Sequence, residues 1–358
     1  MLEIGCGAGG NLIPLAYYLP GSSFVGIDLA RTAIAAARRM ARDLGLRNIE
    51  LRAADLRTIG ATDGKFDYIV AHGIYSWVPP EVRDRLLAIC RARLARNGVA
   101  FVSYNALPGR RRLQALRERL LDAVGGIKDP AKRLAAARRF PETEGLPDDL
   151  VFHDLLAPVN DPVTFREFTA HAARHRLRYL GDADPHVMFD RRYRRRALLQ
   201  TLLCREEVTL RRRVTPARMD RFLFSEKPYG QVIRGGEGVA QALHEAAPLP
   251  LPFAELIPYA GSKPALREIL WALVRAGCAD IHVHDFPCQE TVTDKPCASL
   301  LARYQAARGE HVTNACHNVV AMDNATRRLL ARLDGRHQVS DYVRVAWLAQ
   351  MALLVAPT

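Results

Sequence analysis

A glycine-rich turn joins a short apolar stretch to a helical pattern at the head of the sequence. Leu2–Ile4 reads as the stub of a strand, Gly5-Cys6-Gly7-Ala8-Gly9-Gly10 is the turn, and Asn11–Leu19 carries helical spacing until Pro20-Gly21. The turn matches G-x-G-x-x-G between a strand and a helix, where bare backbone bends sharply and lets a ligand approach. Such a turn requires a sheet whose strands feed helices. The next hundred residues meet that requirement. Ser23–Ile27, Ile49–Ala53, Phe66–Ala71 and Val99–Tyr104 read as strands, with helices at Ala30–Leu44 and Glu81–Ala95 between them. This alternation implies βαβ units and a mainly parallel sheet, an α/β fold.

The rhythm changes after residue 106. PGRRRLQALRERLLDAV and DPAKRLAAARRF read as amphipathic helices, which places a helical insertion at about 106–150. A helix then begins at Asp161-Pro162, and LRYLGDA and ALLQTLLC read as further strands. The α/β domain is therefore expected to span 1–212. Prolines at 216, 228, 248, 250 and 252 mark a linker region at 213–260. A mainly helical domain is expected over 261–358. FAELIPYA, KPALREILWALVRAG and ADIHVHDF follow the helix, helix, β-ribbon order of a winged helix. The 358 residues suffice for two to three domains.

Acidic residues decide what the turn can hold. Asp28 ends the second strand 23 positions after Gly5, where a carboxylate accepts from ribose hydroxyls. An adenosine-bearing cofactor follows, and NAD competes with S-adenosylmethionine. Glu3 lies two residues before Gly5, where it would repel a pyrophosphate but suit a sulfonium and an ammonium. Asp55, just past the third strand, is placed for an adenine amino group, although a turn or helix-cap role fits it equally. Together these acids favour S-adenosylmethionine.

MLEIGCGAGGNLIPLA, GIDLA, FDYIVAHGIYSWVPP and GVAFVSYNALPG resemble the class I S-adenosylmethionine-dependent methyltransferases. VFHDLLAPVNDPVTFREFTAHAARHRLRYLGDA, RRRALLQTLLC and NACHNVVAMDNATRRLLARLDG narrow the resemblance to members carrying a methyltransferase regulatory domain, which include rickettsial protein lysine methyltransferases. The resemblance implies a Rossmann-like sheet with the helical insertion acting as regulatory segment, followed by a winged-helix-like C-terminal domain. It implies that Gly5, Gly7 and Gly9 line the methionine moiety, and Glu3, Cys6 and Asn11 are counted with them as cofactor-binding residues. It places Asp28 and Leu29 at ribose and adenine, Asp55 and Leu56 at adenine, and His72, Gly73 and Ile74 at the methyl group. AHGIYSWVPP lacks the Asn/Asp-Pro-Pro-Tyr pattern of many amino-group methyltransferases. Tyr75, Trp77 and Tyr104 are expected to line an acceptor channel with His72, although core packing accounts for them equally. Members of this subgroup carry roughly forty further residues before the first strand, so a truncated or mis-called start is expected, with weakened cofactor binding.

The expected reaction is methyl transfer to a protein, at a lysine amine. A small-molecule methyltransferase with the insertion as lid is the second reading. A silent regulatory protein that binds nucleic acid is the third. The net charge of +13 comes from 51 basic residues, of which only six are Lys, so the arginine runs read as solvated faces before a nucleic-acid footprint. No run of about 18 apolar residues occurs, and a membrane span is not expected. Seven scattered cysteines without CxxC suit a reducing cytoplasm. Cys278, His282, His284, Cys288, Cys297, Cys316 and His317 crowd the last third without paired spacings, so no metal site is expected. Oligomeric state stays open.

Overall fold

The computed structural model describes residues 1–58, 64–190, 193–211, 214–227, 235–288 and 292–355. Its centre is a sheet containing β1 (Leu2–Ile4), β2 (Phe24–Asp28), β3 (Ile49–Ala53), β4 (Phe66–Ala71), β5 (Leu94–Leu107), β6 (Leu177–Asp182) and β7 (Leu198–Arg205). The order along it is β3-β2-β1-β4-β5-β7-β6. The first five strands are parallel, and β7 runs antiparallel to both β5 and β6. This is the Rossmann-like sheet expected from the sequence.

β1 is only three residues long, yet it is paired on both edges. Leu2 faces Val25 on one side and Ile69 on the other. All three residues are buried, because a central parallel strand has helices on both faces. Leu2, Ile4, Ile27, Ile69, Leu86, Leu87 and Val102 share one core. Each contributes roughly 1.5–3 kcal/mol of apolar burial. α1 (Leu12–Tyr18) and α2 (Arg31–Asp43) cover the β1–β3 half. On α2 the buried residues are Ile34, Ala37 and Ala41, the spacing of an amphipathic stripe.

α3 (Pro80–Arg93) ends earlier than its helical pattern suggests, and β5 begins at once with Leu94. Leu94 is fully buried and pairs with Phe66, so burial outweighs continuation of the helix. The insertion comprises α4 (Arg111–Val124), α5 (Pro130–Ala137) and a helical stretch ending in a π-helix at Val151–Leu155. Leu116, Leu120, Val124, Ala137, Val151, Leu155 and Leu156 form its own core, so the unit runs past residue 150. Not every arginine of its basic run is solvated. Arg117 is buried and donates to the carbonyls of Leu155 and Pro158. Arg110 donates to the Asp154 carboxylate. The other two runs extend into residues 191–192 and 212–213, and those parts lie outside the described residues, as does the expected boundary at 212.

α6 (Phe165–Arg174) packs on this sheet and opens with a capping box, in which Thr164 and Glu167 bond reciprocally. Residues 216–282 hold more than a linker. β8 (Leu223–Glu226) lies between β9 (Leu251–Pro252) and β10 (Ala279–His282), with α7 (Glu237–Ala246) and α8 (Lys263–Ala276) on a shared core. The prolines punctuate that small α/β unit. A third unit holds α9 (Leu300–Ala306), the hairpin β11 (His311–Thr313) and β12 (Val319–Ala321), α10 (Asn324–Leu330) and α11 (Tyr342–Gln350). Among the described residues no helix is long and apolar enough to cross a membrane.

The third unit docks on the first helices. Leu301 is fully buried in the core of α1 and α2. The Tyr18 hydroxyl is 3.0 Å from Ser299 Oγ, and the Leu300 amide donates to Tyr17 Oη. The Tyr304 hydroxyl donates to Asp43. Leu301→Ala is expected to destabilise the protein by about 3 kcal/mol through the cavity it leaves. Urea unfolding should register that loss. Limited proteolysis should find the C-terminal unit cleaved first.

Candidate functional site

The glycine turn is pinned to the end of β2. The amides of Gly5 and Cys6 both donate to the Ile27 carbonyl, and the Gly7 amide donates to Asp28 Oδ2 at 2.8 Å. Asp28 Oδ1 accepts from the Ala30 amide. Asp28 thus braces the turn from the neighbouring strand. Gly5 has φ +74°, and a Cβ there would meet Ile74 Cδ1 at 2.1 Å. The left-handed backbone favours glycine at this position, and a side chain there would also push Ile74 aside.

Beside the turn lies a cavity of about 390 Å³ at the ends of β1 to β4. Gly5, Asp28, Leu29, Asp55, Leu56, Ile74 and Trp77 all line it. Leu29 is 72% exposed, an apolar face free to meet a flat ligand. Asp55 is bound by Arg57, whose guanidinium holds that carboxyl below its usual range. Glu81 and Arg57 also border the cavity.

Glu3 lies behind the turn. It is 5% exposed. Its Oε1 accepts from Asn11 Nδ2 at 3.1 Å, while Oε2 is buried without a hydrogen-bond partner. Burial raises its pKa from 4.5 to about 7, against a smaller lowering by the Asn11 bond. Asn11 Oδ1 lies 2.9 Å from Nε2 of His317, in the third unit. Because that oxygen can only accept, His317 Nε2 donates, and Nδ1 keeps its lone pair. His317 Nδ1 is also buried without a partner, and burial lowers the pKa of this ring toward the neutral form. His317 holds φ +62°, a conformation rare outside glycine. The unfilled Glu3 Oε2 is the donor-hungry atom behind the turn, whereas His317 Nδ1 lies on the far side of its ring and borders a separate cavity with Leu15 and Tyr18.

The remaining expected residues divide. His72 and Gly73 are exposed, with the Gly73 amide donating to Ser103 Oγ. Tyr75 and Tyr104 do not open onto the cavity. They are 2% and 0% exposed and pack against Phe168 of α6, Tyr104 in a stacked pair at 4.1 Å. Their rings fill the sheet–helix interface. The Cys6 side chain likewise faces the α1–α2 core. Trp77 reaches the other way, its Nε1 donating to the His153 carbonyl of the insertion at 3.4 Å.

A buried polar network fixes the segment after β4. Ser76 Oγ accepts from the Asn105 amide, Asn105 Nδ2 donates to Asn160 Oδ1, and Arg110 donates to Asn105 Oδ1. Neither this network nor His317 was expected at the site. Serine and asparagine in strand and loop runs carry no periodic signal, and His317 lies 306 residues from Asn11. The cysteine-rich last third does not assemble a ligand cluster among the described residues. Among the described residues, Asp84, His171 and His175 group with metal-ligand spacing.

Comparison with known proteins agrees with this architecture. Residues 1–98 match the model of a methyltransferase domain. Residues 147–210 match a "predicted methyltransferase regulatory domain", which here means α6, β6 and β7 more than the α4–α5 insertion. Residues 294–347 match "PKMT, C-terminal winged helix domain". The winged helix is therefore the third unit, displaced from the helix–helix–ribbon at 253–286, because that ribbon strand pairs with β8 instead. The chain thus combines a methyltransferase domain, a regulatory domain and a winged helix, as the sequence resemblance implied.

Among individual proteins, the chain is 36% identical over 212 residues to an uncharacterized protein of Rickettsia prowazekii, covering 53% of this chain and 38% of that protein. A second protein of that organism is 41% identical over 121 residues, covering 34% of this chain and 48% of its own length. The chain matches less than half the length of these curated relatives. The solved structure of PKMT2 from Rickettsia typhi in complex with AdoHcy superposes with a TM-score of 0.84, over 99% of this chain and 94% of that one, at 23% identity. That likeness carries the fold.

Glu3 makes stability depend on pH. A raised carboxyl pKa favours the folded state while the group is protonated, so the contribution is present below 4.5 and is lost as pH rises through about 7. Glu3→Gln keeps an acceptor for Asn11 and removes the buried charge. It is expected to match the wild type near pH 4.5 and exceed it by about 3 kcal/mol at pH 8. Denaturant unfolding at the two pH values measures this.

Proposed function

We propose that the protein binds S-adenosylmethionine beside the glycine turn and transfers its methyl group to a lysine amine of a protein. The observation that carries this reading is the buried, half-satisfied Glu3 carboxylate behind a turn bordered by an adenosyl-sized cavity. A pyrophosphate beside that carboxylate would add charge of the same sign; a cation relieves it.

Each residue has a definite task in this reading. Glu3 Oε2 accepts from the ligand's ammonium group, while Asn11, itself held by His317, fixes the other carboxylate oxygen. Asp28 lies at the ribose and braces the turn. Leu29, Leu56 and Ile74 enclose the adenine ring, and Asp55 stands at its amino edge. The sulfonium supplies an activated methyl group, so the chain needs no metal or nucleophile for the step. What remains is to align a neutral amine and exclude water. Desolvation near a positive charge lowers the pKa of an approaching lysine, and its proton leaves to solvent. His72 and Trp77, at the end of β4, border the approach. Tyr75 and Tyr104 position this segment from behind by packing.

Two observations favour a protein acceptor. The winged-helix model that fits residues 294–347 is named for PKMT, protein lysine methyltransferase, and that unit reaches Asn11 behind the turn through His317. The Trp77–His153 bond also joins the cavity wall to the insertion, a broad flanking surface. A small acceptor is the second reading. A curated relative acting on 2-heptyl-1-hydroxyquinolin-4(1H)-one is 33% identical over 84 residues, 24% of this chain.

Labelled-methyl transfer into a cell lysate, followed by sizing of the product, separates the two readings. Label in polypeptides that is recovered as methyl-lysine after hydrolysis is expected. Label confined to small molecules overturns the protein acceptor. Calorimetric affinity for S-adenosylmethionine should rise with pH through about 7, since the cation pairs with ionised Glu3. Glu3→Gln should weaken it about 10–100-fold at pH 8 and flatten that dependence.

A further inference from the structure

The methyl-transfer reading makes no use of the three side chains where α3 meets α6. Asp84 projects from α3, and His171 and His175 stand at i and i+4 at the C-terminal end of α6, on one helix face. His171 Nε2 is 3.3 Å from Asp84 Oδ1, and His175 Nε2 is 2.7 Å from the same oxygen. The three potential ligand atoms lie within 4.8 Å of one another.

We propose that Asp84, His171 and His175 form a three-ligand site for a divalent transition-metal ion of the zinc class. Bonds of about 2.0–2.1 Å in tetrahedral geometry put ligand atoms about 3.3 Å apart. The His171–Asp84 spacing already has that value, the His175–Asp84 pair at 2.7 Å has to open slightly, and the two imidazoles lie within 4.8 Å. The Asp84 side chain is 61% exposed, which leaves water an open fourth position. Tyr75 Oη lies 2.8 Å from His171 Nδ1. It holds the ring so that Nε2 faces the cluster, the outer partner that metal-bound histidines have. The C-terminal end of α6 adds a partial negative charge that favours a cation. Arg174 opposes it, and Arg83 lies over the Tyr75 ring. The carboxylate and two neutral imidazoles must outweigh both.

Such an ion would clamp α3 to α6. Through Tyr75 it would also stiffen the segment that carries Ile74 and Trp77 to the cavity wall. The site stands independently of the methyl-transfer reading.

The test uses the full chain after chelator treatment. Zinc titration should raise the melting temperature by about 5 °C at hundredfold excess over Kd. Cobalt substitution should give one equivalent with the visible bands of nitrogen and oxygen ligands and no thiolate charge-transfer band. His175→Gln keeps a donor for Asp84 but removes a ligand. With its fold verified by circular dichroism, it should lose at least tenfold in zinc affinity. Tyr75→Phe should lose about tenfold. Absence of stoichiometric uptake, a thiolate spectrum, or undiminished affinity in His175→Gln overturns the proposal and leaves a hydrogen-bonded His–Asp–His cluster.

Discussion

A three-residue strand paired on both edges sets the geometry of everything around it. β1 has room for Leu2, Glu3 and Ile4 before the chain must turn. Leu2 and Ile4 join the main core, and Glu3 is carried into the interior with them. The turn that follows uses Gly5 at φ +74°, a backbone conformation that favours glycine, with Ile74 packed against its bare Cα. Strand, acid and turn form one unit, tied to β2 through Ile27 and Asp28. The cavity beside it is a consequence of that tie, since β1 to β4 all end at the same level.

The same unit carries an electrostatic cost. A buried carboxylate with one oxygen unpartnered disfavours its own charge, and the raised pKa of Glu3 measures this. Carboxyls shifted by burial cluster at functional sites. Asn11 and His317 extend the arrangement into the winged helix, so the two ends of the chain meet behind the turn. Leu301, Tyr17 and Tyr18 hold that contact in place by apolar burial and hydroxyl bonds. Loosening the winged helix would remove the His317 bond that steadies Asn11 beside Glu3.

The aromatic residues illustrate where local reading stops. Tyr75, Trp77 and Tyr104 lie within or just after strands at the ligand end of the sheet, so a sequence-based argument treats them alike. α6 separates them: Phe168 receives Tyr75 and Tyr104 in the core, while Trp77 turns toward the insertion. Asn105 ends in a buried network with Ser76 and Asn160 for the same reason. The partners come from segments more than fifty residues away in one case and about thirty in the other.

The first hundred residues were legible because their information is local. Apolar runs of strand length, Ala-rich helical spacing and left-handed glycines each specify their own backbone, and Glu3, Asp28 and Asp55 follow from position relative to those strands. The prolines of 216–252 read as a linker because punctuation alone does not reveal that β8 pairs with β10 more than fifty residues later. Sequence alone therefore determined the Rossmann-like sheet, the glycine turn and its acidic surroundings, since helix, strand and turn preferences act over a few residues. Only the tertiary structure decided which rings face the cavity, where the third unit docks, and that His317 and the Asp84–His171–His175 cluster exist as arrangements at all. These depend on packing between distant segments, whose free energy is encoded in no single stretch of chain.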